Sequence, residues 1–88
     1  MKLMVCEKAL YAVKKYKKYS CEYYLINENG NYGIEVHKLS AEGDITSMDT
    51  VRDITNKKDV ILDYLYRLAR GGAVPVHLRE IICDFLGT

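Results

Sequence analysis

The segment Cys21–Leu39, CEYYLINENGNYGIEVHKL, limits what this chain can fold into more than any other stretch. Two apolar runs flank Asn27-Glu28-Asn29-Gly30-Asn31, and the Asn-Gly pair supplies the positive-φ positions that a tight connection between antiparallel strands requires. The spacing predicts a β-hairpin. On its second arm Tyr32, Ile34 and Val36 alternate with Gly33, Glu35 and His37, so one face is apolar and the other mostly polar. On the first arm Tyr24 and Ile26 oppose Cys21, Tyr23 and Leu25, the pattern of an inner strand covered in part on both faces.

Downstream, Ser40-Ala41-Glu42-Gly43-Asp44 is a second turn cluster, and Ile45–Ile54 returns as a charged, Thr-rich edge strand. In such a strand Asp49 and Asp53 fall on one solvated face. The period then changes. Ile61, Tyr64, Leu65 and Leu68 form the stripe of an amphipathic helix, with Asn56 as its N-cap, Asp59 in its first turn, and Arg67 and Arg70 near its end. Gly71-Gly72 stops this helix, Pro75 opens a second, and Leu78, Ile81, Ile82 and Phe85 repeat the stripe before Gly87. Upstream, residues 2–19 satisfy both helical and strand spacing, since Cys6, Leu10, Val13 and Tyr16 suit one and Leu10-Tyr11-Ala12-Val13 the other.

Separated motifs carry a family resemblance: the Tyr23-Tyr24-Leu25 run, the Tyr32-Gly33-Ile34-Glu35-Val36 strand, Val51-Arg52-Asp53-Ile54-Thr55 as the entry to a helix, and Pro75-Val76-His77-Leu78-Arg79-Glu80-Ile81-Ile82 with Asp84-Phe85-Leu86. Over residues 20–88 they resemble a domain-of-unknown-function family of small proteins from Gram-positive anaerobes. The resemblance implies a strand before the Tyr-Tyr-Leu motif, and so favours strand over helix at about Glu7–Lys15. Val74 stands where the family usually carries a Ser or Thr cap. The resemblance implies no activity and no catalytic residues. The expected architecture is α+β, one domain over residues 1–88. An antiparallel sheet of three to four strands at about 7–54 packs against a C-terminal αα-hairpin with helices at about 57–70 and 75–86.

Charge and chemistry narrow the function. The 88 residues carry a net charge of +1, which creates no whole-molecule field for nucleic acid or anionic lipid. The distribution is uneven: residues 1–20 hold six Lys against Glu7, while residues 21–59 hold four bases against eight acids. Cys6, Cys21 and Cys83 show no CxxC spacing, and Leu3-Met4-Val5-Cys6 lacks a preceding apolar core, so a reducing, cytoplasmic setting without secretion or membrane insertion is expected. His37 and His77 have no paired ligand at metal spacing. His37 reads as a residue of the polar strand face, and Cys83 as a small packing residue. No catalytic residue, metal or cofactor is assigned. A pocket joining His77 to Glu35 or Cys21 would revive an enzyme reading.

The aromatic inventory stands out, with eight Tyr, one Phe and no Trp. Tyr11, Tyr16, Tyr19 and Tyr23 interleave with Lys14, Lys15, Lys17 and Lys18. Such a patch suits a wet, adhesive protein interface or a base-stacking platform, or its rings simply cap the edge of a small core. The expected function is a non-enzymatic module acting through a protein partner, for instance a mobile-element inhibitor of a host enzyme such as an anti-CRISPR protein. Homodimerisation through the same surface is equally compatible, and nucleic-acid binding by residues 14–23 is the alternative.

Overall fold

Asn29 and Gly30, at φ 53° and 87°, form the two-residue turn between Tyr19–Glu28 (β2) and Asn31–Ser40 (β3) in the computed structural model, which describes residues 6–87. Positive φ at both positions matches the twist of the flanking strands and leaves Glu28 opposite Asn31. That pairing sets every face of the sheet. Tyr23 meets Val36 and Leu25 meets Ile34 on one side, while Glu22 meets His37 and Tyr24 meets Glu35 on the other.

Cys6–Lys15 (β1) pairs with β2, and Ile45–Thr55 (β4) pairs with β3, giving an antiparallel sheet in chain order with β1 and β4 at its edges. Residues 7–15 are therefore strand, as the resemblance implied. Two helical elements follow on one face: Lys58–Gly71 (α1), and a 3₁₀ turn Pro75–His77 running into Leu78–Leu86 (α2). The smallest extent, 18 Å, is one sheet plus one helical layer. Ile61, Leu65 and Leu68 from α1 and Leu78 and Ile82 from α2 cover Cys21, Tyr23, Ile34 and Val36 in a single core. The helices touch each other where Tyr64 and Phe85 bring their rings to 4.8 Å.

Local chemistry departs from expectation in three places. The N-cap of α1 is Lys57 rather than Asn56, without a side-chain cap bond; Thr55 Oγ1 accepts the Lys57 N–H at 3.2 Å. Pro75 opens the 3₁₀ turn instead of α2, and Val74 supplies only its carbonyl, to the His77 N–H. Asp49 and Asp53 do not share an unbroken strand face, because β4 is irregular between the Tyr32 and Ile34 pairings and Asp53 takes φ 54°. Asp49 is instead clamped on the helix side by Arg79, whose Nε and Nη2 donate to its two oxygens at 3.0 and 3.1 Å.

This irregularity explains Gly33. A Cβ there would stand 2.5 Å from the Val51 carbonyl oxygen and 2.9 Å from Arg52 Cα, so β4 passes where a side chain would sit. Gly33→Ala is expected to cost about 1–3 kcal/mol, as for other forced insertions into packed sites. Chemical denaturation reads the loss as a lower midpoint with an unchanged slope.

Candidate interaction surface

The β1–β2 connection, Tyr16-Lys17-Lys18-Tyr19, closes on a bond from the Tyr16 N–H to the Tyr19 carbonyl at 2.8 Å. The turn brings the Tyr16 and Tyr19 rings into a stack with centroids 4.8 Å apart. Lys38 Nζ lies 4.7 Å from the Tyr19 centroid. Beside them runs a shallow groove of about 310 Å³ between this turn and the β3–β4 turn, with Lys15, Lys17, Ser20, Ser40 and Gly43 in its walls. Lys and Tyr residues named from sequence therefore converge at one end of the sheet. Tyr16 is 40% exposed, and its hydroxyl rests where a Cβ on Gly72 would fall, so the loop is braced against the α1 C-cap.

Not all of the named residues belong there. Tyr11, 39% exposed, sits farther along β1 where the pairing with β2 is irregular. Lys14 is half-buried beside Cys21, and Lys18 is exposed at the turn. Tyr23 is a correction. It has no exposed surface, and its hydroxyl donates to the Ala73 carbonyl at 2.8 Å, tying the sheet to the α1–α2 connection. Burial and the neighbouring Cys21 push that hydroxyl well above the usual tyrosine range. Its period-two spacing with Cys21 and Leu25 offered the signal for the core, since that face pairs with Val36 and Ile34 of β3. Cys83 is also corrected: its side chain is exposed.

On the sheet face away from the helices lies a cluster that spacing did not reveal. Glu35 and His37 are only 5% and 7% exposed although no helix covers them. Lys8 Nζ from β1 and Thr50 Oγ1 from β4 donate to the Glu35 carboxylate at 2.8 and 2.7 Å, and His37 Nε2 stands 2.6 Å from it. An ionised carboxylate only accepts, so the proton of that bond is on Nε2. The His37 Nδ1 faces Glu22 at 3.9 Å, and Tyr24 donates to Glu22 at 2.9 Å while its ring tilts against the imidazole. Only the paired register brings Lys8, Glu35 and Thr50 together, since they come from three strands. His37 thus lies on the polar face, as its spacing indicates, but buried rather than solvated. His77 is exposed next to Glu80 on the helical side, so it forms no pocket with Glu35.

The chain belongs to DUF6514, a family of unknown function. The match runs over residues 1–88, which extends the likeness through β1. No curated protein and no solved structure matches the chain. Among its described residues, this DUF6514 chain has no helix long and apolar enough to cross a membrane.

Two measurements follow from these placements. Burial raises the Glu35 pKa, but the bonds from Lys8, Thr50 and His37 outweigh it and hold the carboxyl at about 2, below its ordinary 4.5. A depressed folded-state pKa contributes stability above about 4.5 that is lost as pH falls toward 2. The wild-type thermal midpoint should drop across that window, and Glu35→Gln should flatten the drop. Tyr23→Ala should cost about 3–5 kcal/mol, as buried aromatic truncations do, whereas Tyr16→Ala should shift the melt by only a few degrees.

Proposed function

We propose that this protein is a small cytoplasmic, non-enzymatic module that acts by binding a protein partner through the Tyr16–Tyr19 turn and the groove beside it. The observation that carries this reading is the convergence of the stacked tyrosines with Lys15 and Lys17 around one groove. Large amphipathic rings with a cationic rim suit an acidic or polar protein segment, and ring bodies already stacked lose little freedom on binding. The groups with catalytic chemistry favour the same conclusion. Glu35 spends its acceptor capacity on Lys8, Thr50 and His37 and is shut away from solvent, so it serves the sheet rather than a substrate.

In its most specific form, the module is an inhibitor of a host enzyme, such as an anti-CRISPR protein, carried by a mobile element of a Gram-positive anaerobe. Small size alone suggests the inhibitor, and the motif resemblance bears only on the source. Nucleic acid is the second reading, since tyrosines beside lysines suit base stacking. Tyr19 weighs against it: one ring face is taken by Tyr16 and Lys38 sits over the ring as well, which leaves little platform for a base.

Affinity capture from the source cell, with wild type and Lys15→Glu/Lys17→Glu in parallel, tests the reading. One protein retained stoichiometrically by wild type and lost by the equally stable variant is the expected result. Equal retention by both contradicts it. Oligonucleotide binding that weakens about tenfold or more between 50 and 200 mM salt would instead support the nucleic-acid reading.

A further inference from the structure

The β1 edge has properties that a solvated sheet edge normally avoids. It is ten residues long, and its outer side has no neighbouring strand among the described residues. Its centre, Ala9-Leu10-Tyr11-Ala12-Val13, carries no charge, and Leu10, Tyr11 and Val13 are 53%, 39% and 43% exposed. Lysine usually guards such an edge, but Lys8 is drawn inward to Glu35 at 2.8 Å. The opposite edge is better protected. β4 is interrupted twice along its pairing with β3 and carries Asp49, Arg52 and Asp53, the last at positive φ.

The irregularity in β1 makes the strand self-complementary. Ala9 pairs with Leu25 and Ala12 with Tyr23, so both alanines lie on the helix side despite being three residues apart. Leu10 pairs with Tyr24 and Val13 with Glu22, so both lie on the other side. One extra residue at Tyr11 has shifted the alternation, and the two halves of the strand become mirror partners about the Leu10–Tyr11 bond. A second β1 laid antiparallel across that point brings Ala9 opposite Ala12, Lys8 opposite Val13 and Glu7 opposite Lys14, each pair on a shared face. The charges then match. A two-residue shift one way places Lys8 opposite Lys15, a like-charge pair, and the other way places Ala9 opposite Leu10, which lie on different faces. A bulge often blunts an edge; here it lies on the symmetry axis and keeps the halves in step.

We propose that the occupant of this edge is a second copy of the chain, joined through antiparallel β1–β1 pairing centred between Leu10 and Tyr11 into one continuous eight-stranded sheet. The interface is isologous, so each favourable contact occurs twice. Two Glu7–Lys14 pairs flank an apolar centre, and the small Ala9 and Ala12 leave room on the side where the helices of both copies approach. This contact uses the strand edge, so it stands or falls separately from the Tyr16–Tyr19 surface.

Sedimentation of the full chain with a charge swap tests the pairing. Wild type is expected to sediment as a dimer of the 10.1 kDa chain. Glu7→Lys and Lys14→Glu should each raise the dimer dissociation constant about tenfold or more, because two attractive pairs become two repulsive ones. The double variant Glu7→Lys/Lys14→Glu should restore it. Thermal melts of all four proteins keep folding separate from association. A monomer at about 200 µM, open-ended aggregates, or a dimer in which the double variant does not rescue the singles overturns the proposal.

Discussion

The pairing of β2 with β3 is the interaction on which the rest of the molecule depends. Asn29-Gly30 holds Glu28 opposite Asn31, and from that register Tyr23, Val36, Leu25 and Ile34 are committed to one side. A slip of one residue would send these side chains outward and bring Glu22, Glu35 and His37 against the helices. The Tyr23 hydroxyl bond to Ala73 adds a tie from the other layer, because it needs the Tyr23 side chain on the helix side. Arg79 provides a second tie, clamping β4 to α2 through Asp49 and the Thr50 carbonyl.

The uncovered face is organised by the same register and follows a different logic. It buries Glu35 and His37 under side chains of the sheet itself, with Lys8 and Tyr24 contributed by the two strands nearest that edge. A half-satisfied network of this kind would be worse than an apolar patch. This one leaves no buried side-chain polar atom without a partner among the described residues. Its effect is to join three strands across the sheet, from Lys8 on β1 to Thr50 on β4. The surfaces that remain exposed are chemically plainer: the turn at Tyr16, Lys17 and Lys18 with the groove beside it, and the β1 edge.

Much of the architecture was legible because the strong signals were local. Asn29-Gly30 gave the hairpin, the Ile61, Leu65 and Leu68 stripe gave α1, and Gly72 and Gly87, at φ 66° and 76°, closed the two helices as their positions suggested. What escaped depended on partners distant in the chain. Nothing near Glu35 announces Lys8, 27 residues away, or Thr50 on a different strand. Tyr23 reads as surface when grouped with Tyr11, Tyr16, Tyr19 and the lysines between them, whereas its place on one face with Cys21 and Leu25 leads to the core. Asn56 is not the cap because α1 starts one residue later, with Lys57 still in extended conformation before Lys58. The helix-or-strand ambiguity of residues 7–15 is physical: the bulge at Tyr11 breaks the period-two alternation that would have identified a strand.

Native-state hydrogen exchange tests the central role of the β2–β3 pair most directly. If this pair is the frame on which both faces are built, amides of residues 21–26 and 33–38 exchange only through global unfolding, while those of β4 and α2 open at lower free energy. Slower exchange in α1 and α2 than in β2 and β3 would contradict the account, since it would mean that the helices fold as the stable unit and the sheet docks onto them.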